Sequence, residues 1–453
     1  MNIITATDSY KVTHHKQYPP GTSSMFSYIE SRGGVYSETR FFGLQYLLKT
    51  WLENPVSKEH VEEAHALLEA HFGADYFPKA GWLRVVEKYG GLPPLKIRAV
   101  PEGTLVPTHN VMVTVESEDA ELFWLPGWLE TQILRAVWYA TTVATVSYHT
   151  KQLILSYLER TADDPAGEIG FKLHDFGARG VSSAESAGLG GLAHLSNFLG
   201  SDTIEALQFG RRYYGADMAG FSIPAMEHAT VTSWGRAGEA DAYANFVEQF
   251  AAEGNLIAAV SDSYDIYHAV EDIWGEHLKP QVINSGATIV IRPDSGDPPL
   301  IVLRMLQILE AKYGVTINSK GYKVLKNVRV IQGDGVNPDT IRRILDLAER
   351  YDYSASNITF GMGGALLQRV NRDTQKFAMK CSEVVVNGEP RPVSKDPITD
   401  PGKKSKTGRL ELYRVNGKLI TSADAVDAEK VLRTVYEGGE LLVDDDLETI
   451  RAR

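Results

Sequence analysis

Through the second half of the chain, short runs of apolar and β-branched residues alternate with longer stretches whose apolar residues recur at helical spacing. The short runs predict strands at residues 170–174, 218–223, 256–260, 288–291, 328–331 and 358–360. The amphipathic stretches predict helices at 183–198, 204–213, 241–252, 266–278, 300–313, 339–351 and 365–370. Strands that alternate with helices imply a parallel sheet. The fold class is therefore α/β, as a β/α barrel or an incomplete or irregular relative of one, with a doubly wound open sheet as the alternative.

The two ends of the chain read differently. Residues 41–53, 60–71 and 131–158 carry helical spacing, while 95–100 and 111–116 read as strands joined by a turn-rich segment. Beyond residue 370, residues 376–386 read as a strand and 387–408 as a loop rich in Pro, Gly and Lys. This predicts a barrel at 166–372 and a flanking α+β domain built from residues 1–165 and 373–453.

Most of the predicted strands run directly into polar residues. The first leads to Asp175, Phe176, Gly177 and Arg179, the third to Ser261, Asp262 and Ser263, and the fourth to Arg292, Asp294, Ser295 and Asp297. Gln332, Gly333 and Asp334 end the fifth, and Gly361–Gly364 the last. In a parallel sheet these ends share one edge, which is where ligands bind in such folds.

Composition narrows the classes. A chain of 453 residues holds about two or three domains by the usual length prior. Hydrophobic content of 43% and charged content of 23% are ordinary for a globular protein. A net charge of −12 argues against a general nucleic-acid role. The single cysteine, Cys381, forms no intrachain disulfide and fits a reducing compartment. With no secretory leader and no apolar run of membrane-spanning length, the expectation is a cytoplasmic protein without a membrane partner.

The strand ends also carry the candidate chemistry. Gly361–Gly364 before a helix suits phosphate, because glycines let N–H groups approach an anion; the bland alternative is a helix-entry turn. Arg179, Arg292 and Arg372 lie near element ends, and Lys395, Lys403, Lys404, Lys406 and Arg409 share one loop, as an anion clamp or a solvated basic loop. Asp294, Asp297 and Asp334 suit ribose hydroxyls or a Mg²⁺ ion. Phe176 either stacks on a planar ring or packs in the core. His228, with Glu227 beside it and Asp262 after a strand, suits a base or nucleophile, or is only a helix-start histidine. No GxSxG, HExxH or CxxC motif supports serine-hydrolase or zinc chemistry.

The stretches ATDSYKVTHHKQYPPGT, LHDFGARGVSSAESAG, SIPAMEHAT, VSDSYDIY, IRPDSGDP, VIQGDGVN, FGMGGALLQ and KDPITDPGKKSKTGRL run in order along nearly the whole chain. With them the chain resembles the nicotinamide phosphoribosyltransferase family. The resemblance implies transfer of phosphoribosyl from phosphoribosyl pyrophosphate to nicotinamide in NAD salvage, with Mg²⁺, a type II phosphoribosyltransferase barrel, and a homodimer with shared sites. It implies that Phe176 and the partner's Tyr10 sandwich the nicotinamide ring, and that Asp202 meets the amide. Arg179, His228 and Arg292 would contact the diphosphate, and Asp294, Gly333 and Asp334 the ribose. Gly363, Gly364 and the partner's Arg372 would hold the 5′-phosphate, with Arg32, Lys395 and Lys406 clamping phosphates across the interface. It further implies that ATP phosphorylates His228. Ala178 and Met362 depart from the family's usual residues. The rivals are nicotinate phosphoribosyltransferase and, from another class, a phosphate-binding protein without turnover.

Overall fold

A computed structural model of the chain describes residues 2–395, 398–399 and 405–453; Lys403 and Lys404 lie outside the described residues. Two units divide the chain, one of Val146–Gly210 and Asp217–Val370, the other of Met1–Thr145, Arg211–Ala216 and Asn371–Arg453. The division falls within the helix Leu125–Thr161 rather than after it.

The first unit is organised by six strands: β1 (Leu173–Asp175), β2 (Gly200–Ser201), β3 (Leu256–Val260), β4 (Thr288–Arg292), β5 (Val328–Gln332) and β6 (Ile358–Met362). They pair in the order β2-β1-β6-β5-β4-β3, and every pairing is parallel. Strands buried on both faces carry continuous apolar runs, as Ile289, Val290 and Ile291 do in β4. Helices Ala184–Leu195, Ile204–Tyr214, Glu239–Phe250, Pro298–Tyr313 and Pro338–Arg350 fill the crossovers. The stretch expected as a helix from residue 266 begins as α-helix Ile266–His268 and continues as π-helix Ala269–His277. The last predicted helix shortens to Gly364–Leu367.

The strand expected at 218–223 is not one. That stretch makes an isolated bridge from Phe221 to Gly200, followed by another from Ala225 to Ala258. Phe221 N–H donates to Leu199 O at 2.7 Å, and Ala258 N–H donates to Pro224 O at 2.9 Å. One extended segment thus bonds beside both edge strands, β2 and β3, and links the two edges of the sheet. Pro224 has no N–H to give, which keeps the contact to single bridges.

The second unit is built from both ends of the chain. Its seven-stranded sheet runs Glu389–Pro392, Phe377–Val386, Thr22–Ser31, Val111–Ser117, Leu95–Ala99, Arg433–Glu437 and Glu440–Leu441, all antiparallel. N-terminal and C-terminal strands interleave, so neither end buries its apolar face alone. Glu389–Pro392, read from sequence as loop, is an exposed edge strand, the sheet position that tolerates proline. Trp82, Trp124 and Trp128 meet edge to face at centroid distances of 5.7, 5.6 and 5.4 Å beneath the sheet's helical cover.

Candidate active site

Because β1–β6 are parallel, their carboxyl ends gather on one side of the sheet. β1 ends in the buried Asp175, and Phe176 comes next with its N–H donated to Met362 O at 3.0 Å. The Phe176 ring fills the space that a side chain on Gly361 would need: a Cβ there would stand 1.9 Å from its edge. Ala258, Val290 and Ile331, from β3, β4 and β5, form the apolar floor against which the ring packs. A ring aimed into the barrel and half-buried at its mouth is placed to offer a face to a planar ligand.

Asp202 comes directly after β2. Its exposed carboxylate accepts the Ser222 hydroxyl at 2.5 Å. Arg292 ends β4 with its Nε 3.8 Å from Asp294 and without a hydrogen-bond partner among the described residues. A cation this poorly paired gains most when an anion arrives.

His228 Nε2 meets Asp262 Oδ1 at 3.0 Å, and the Ser295 hydroxyl donates to the other carboxylate oxygen at 2.5 Å. A carboxylate only accepts, so the contact puts a proton on Nε2, and in the neutral imidazole the lone pair is then on Nδ1. Glu227, grouped with His228 in the sequence, is the residue that precedes the helix His228–Thr232, and its side chain makes no cap bond there. The partner of the imidazole is Asp262, from the loop after β3, and not the carboxylate next to it in sequence.

Gly363 precedes the short helix Gly364–Leu367, and a Cβ on Gly364 would meet open space. The turn Ala178–Gly180 borders it: a Cβ on Gly180 would stand 3.8 Å from Gly364 N. Arg179 in that turn is exposed, as is Asp334 after Gly333. Asp297 pairs with Arg343 at 3.7 Å. Gln332, named from sequence among the strand-end residues but given no role, is buried; its amide donates to Asp334 O at 2.8 Å, and its Oε1 has no partner among the described residues. A cavity of about 540 Å³ inside the barrel shares Ser222, Val290 and Ile331 with this constellation, and Lys172 and Arg329 line it toward the strand starts.

In the end-built unit, Tyr10 is 59% exposed on the 3₁₀ helix Ser9–Lys16. Glu30, almost fully buried, pairs with both Arg32, at 3.3 Å, and Lys406. Lys395 is exposed and tied through its backbone to Ser405, and Arg372 is exposed beside Asp373. Lys380, unforeseen from sequence, joins them: burial lowers its pKa first, the charge of Glu130 opposes this, and the charges of Arg32, Lys395 and Arg372 lower it further. Cations gathered around a half-buried lysine form a site for an anion of several charges. Among the described residues no three metal-ligating side chains converge, and no helix is long and apolar enough to cross a membrane.

Residues 171–440 match the model of the nicotinate phosphoribosyltransferase family, and residues 2–97 that of the nicotinamide phosphoribosyltransferase N-terminal domain. The chain is 54% identical to a nicotinamide phosphoribosyltransferase of Xanthomonas campestris pv. campestris over 459 residues, covering 100% of this chain and 97% of that one. It is 30% identical to a second, from Acinetobacter baylyi, over 498 residues, with the same coverage of 100% and 97%. Among solved structures, the nicotinate-nucleotide pyrophosphorylase of Pyrococcus furiosus aligns with a TM-score of 0.65 at 17% identity, over 99% of this chain and 94% of that one. Human nicotinic acid phosphoribosyltransferase aligns at 0.59 and 17% identity, over 98% and 92%. At that identity the likeness is one of fold, a type II phosphoribosyltransferase architecture.

Proposed function

The chain belongs to the nicotinate phosphoribosyltransferase family and carries the nicotinamide phosphoribosyltransferase N-terminal domain, and on that premise we propose that it joins nicotinamide to phosphoribosyl pyrophosphate, giving nicotinamide mononucleotide and pyrophosphate for NAD synthesis. The observation that carries this beyond the family is the mouth of the barrel, where the Phe176 ring, the Asp202 carboxylate and the Arg292–Asp294 pair stand at the ends of parallel strands. Incubating the protein with phosphoribosyl pyrophosphate, Mg²⁺ and either nicotinamide or nicotinate, then assaying pyrophosphate and nucleotide, tests it. Nucleotide from nicotinamide supports the reading; pyridine-independent binding without product would mark a phosphate receptor, and product from nicotinate alone the sister activity.

The chemistry asks little proton transfer. The pyridine nitrogen attacks C1 of the ribose with its lone pair, the C1–O bond to pyrophosphate breaks, and no proton moves. What remains is alignment and charge stabilisation. Phe176 and the partner's Tyr10 would hold the ring in line. Asp294, Gly333 and Asp334 would hold ribose hydroxyls as C1 gains positive character. Arg292, Arg179 and His228 would take up the charge of the departing pyrophosphate. Gly363 and Gly364, with Arg372 of the partner subunit, would fix the 5′-phosphate, and Arg32, Lys395 and Lys406 would complete the phosphate clamp in a homodimer with shared sites. The lowered pKa of Lys380, to which the charges of Arg32, Lys395 and Arg372 add after burial, supports a polyphosphate between subunits. Asp294 or Asp334 would hold a Mg²⁺ ion, which would supply charge neutralisation for the phosphates.

His228 is not needed as a base. Its Nδ1 lone pair suits attack on the terminal phosphorus of ATP, forming an N–P bond as ADP leaves, so that ATP drives synthesis. The reading includes a cytoplasmic enzyme without nucleic-acid partners, in line with one cysteine and a net charge of −12.

A further inference from the structure

Asp175 has no part in the reaction described above, yet it is fully buried at the end of β1. Its Oδ1 accepts the N–H of Gly177 at 2.7 Å, and its Oδ2 accepts the Ser201 hydroxyl at 3.4 Å. Its own carbonyl accepts the N–H of Asp202 at 3.0 Å. One residue therefore bonds to the residue after Phe176, to the residue before Asp202, and to Asp202 itself. Ser201 Oγ in turn accepts the N–H of Thr203 at 3.0 Å, so Asp202 is bracketed on both sides. The neighbouring helix leaves room for this carboxylate through Gly191, where a Cβ would stand 3.0 Å from Oδ2.

Holding an acid here is costly. Burial pushes its pKa up to about 6, against the hydroxyl and N–H donors that pull it down, and the charge of Asp202 adds to the rise. An apolar residue of similar size would avoid that desolvation. What the acid supplies is an acceptor at the junction of two loops that start from neighbouring strands, β1 and β2.

We propose that Asp175 is the positioning residue of the pyridine pocket, fixing the spacing between the ring-stacking Phe176 and the amide-reading Asp202 without touching substrate. The proposal rests on the roles given to Phe176 and Asp202 above. It places the main effect of Asp175 on the pyridine and on amide selectivity, because its bonds run to Gly177 beside Phe176 and to Ser201 and Asp202, whereas Arg179 lies two residues beyond Gly177, Arg292 ends β4 and Gly364 follows β6.

The test compares steady-state kinetics of the full-length wild type, Asp175→Ala and Asp175→Asn. Asp175→Ala is expected to raise KM for nicotinamide about tenfold, the size of one lost hydrogen bond, while KM for phosphoribosyl pyrophosphate moves less than about threefold. Its preference for nicotinamide over nicotinate falls with it. Asp175→Asn keeps an oxygen for the Gly177 N–H and offers an NH₂ to Ser201 Oγ, so it is expected to restore both readouts. A proportional rise of both KM values in Asp175→Ala, or an Asp175→Asn variant as impaired as the alanine, overturns the assignment. Should the alanine variant fail to fold, by its melting curve, Ser201→Ala replaces it: a raised nicotinamide KM alone supports the proposal, and unchanged kinetics overturns it. A wild type that forms no nucleotide contradicts the site reading itself, whereas an active wild type with the wrong variant pattern contradicts Asp175 alone.

Discussion

Arg292 and His228 carry separable loads. The Arg292 Nε is buried without a hydrogen-bond partner among the described residues, and its nearest carboxylate, on Asp294, is 3.8 Å away. Removing it breaks no strong native pair but takes a charge-assisted contact from the ligand, worth about 1.5–3 kcal/mol. Arg292→Ala is therefore expected to raise KM for phosphoribosyl pyrophosphate by roughly ten- to a hundredfold with little change in melting temperature. Near-normal kinetics would take Arg292 out of the site. His228 answers to a different assay. If its Nδ1 accepts the phosphoryl group, wild type hydrolyses ATP and makes more nucleotide with it, and His228→Ala abolishes both effects; stimulation that survives the substitution would assign the phosphoryl group elsewhere. Arg292 was legible in the sequence because a charged group directly after a buried strand seldom serves the core, and His228 because a carboxylate stood ready to orient it. The bonds that Ser222 and Ser295 give to Asp202 and Asp262 were not, since single hydroxyls are too common to signal a contact. Lys380 was hidden too: inside the strand Phe377–Val386 a lysine reads as an outward-facing residue.

At the scale of elements, β6 and the turn after β1 depend on one missing methyl. A Cβ on Gly361 would lie 1.9 Å from the Phe176 ring, too close for either to stay in place. Gly361→Ala is expected to cost about 1–3 kcal/mol of stability through overpacking and to weaken nicotinamide binding as far as Phe176→Ala does. A variant with unchanged melting temperature and pyridine KM would mean that the ring lies elsewhere. The strands that the sequence revealed best, β3, β4, β5 and β6, are mostly apolar because most of their residues are buried. β2 escaped because Gly200–Ser201 is two residues long and has no such run. The stretch at 218–223 misled in the opposite direction: its apolar residues read as a strand, but Pro224 cannot donate to a ladder, and the segment spans two edges through isolated bridges. The candidate site is accordingly more legible than the sheet that carries it, because its residues are set by chemistry while strand limits are set by neighbours distant in sequence.

At the scale of the whole molecule, the proposed site requires two chains. In the proposed arrangement the ring sandwich takes Phe176 from one subunit and Tyr10 from its partner, so a mixture of Tyr10→Ala and Phe176→Ala proteins is expected to regain activity that each lacks alone, once subunits have exchanged. A mixed dimer has one intact site. No recovery after exchange verified by mass would argue for sites completed within one chain. The interleaved sheet of the end-built unit explains why truncation at either terminus should be poorly tolerated: strands from both ends pair along its length. The central claim, however, is the choice of substrate. Asp202 presents an exposed carboxylate beside Ser222, able to accept from an amide NH₂ and to repel a second carboxylate. The most direct measurement is a competition in which wild type and Asp202→Asn receive equal nicotinamide and nicotinate with limiting phosphoribosyl pyrophosphate, and the two nucleotides are quantified. Wild type is expected to make nicotinamide mononucleotide almost alone, and Asp202→Asn to lose much of that preference. Equal amounts of the two nucleotides from wild type, or a ratio unmoved by the substitution, would contradict the assignment.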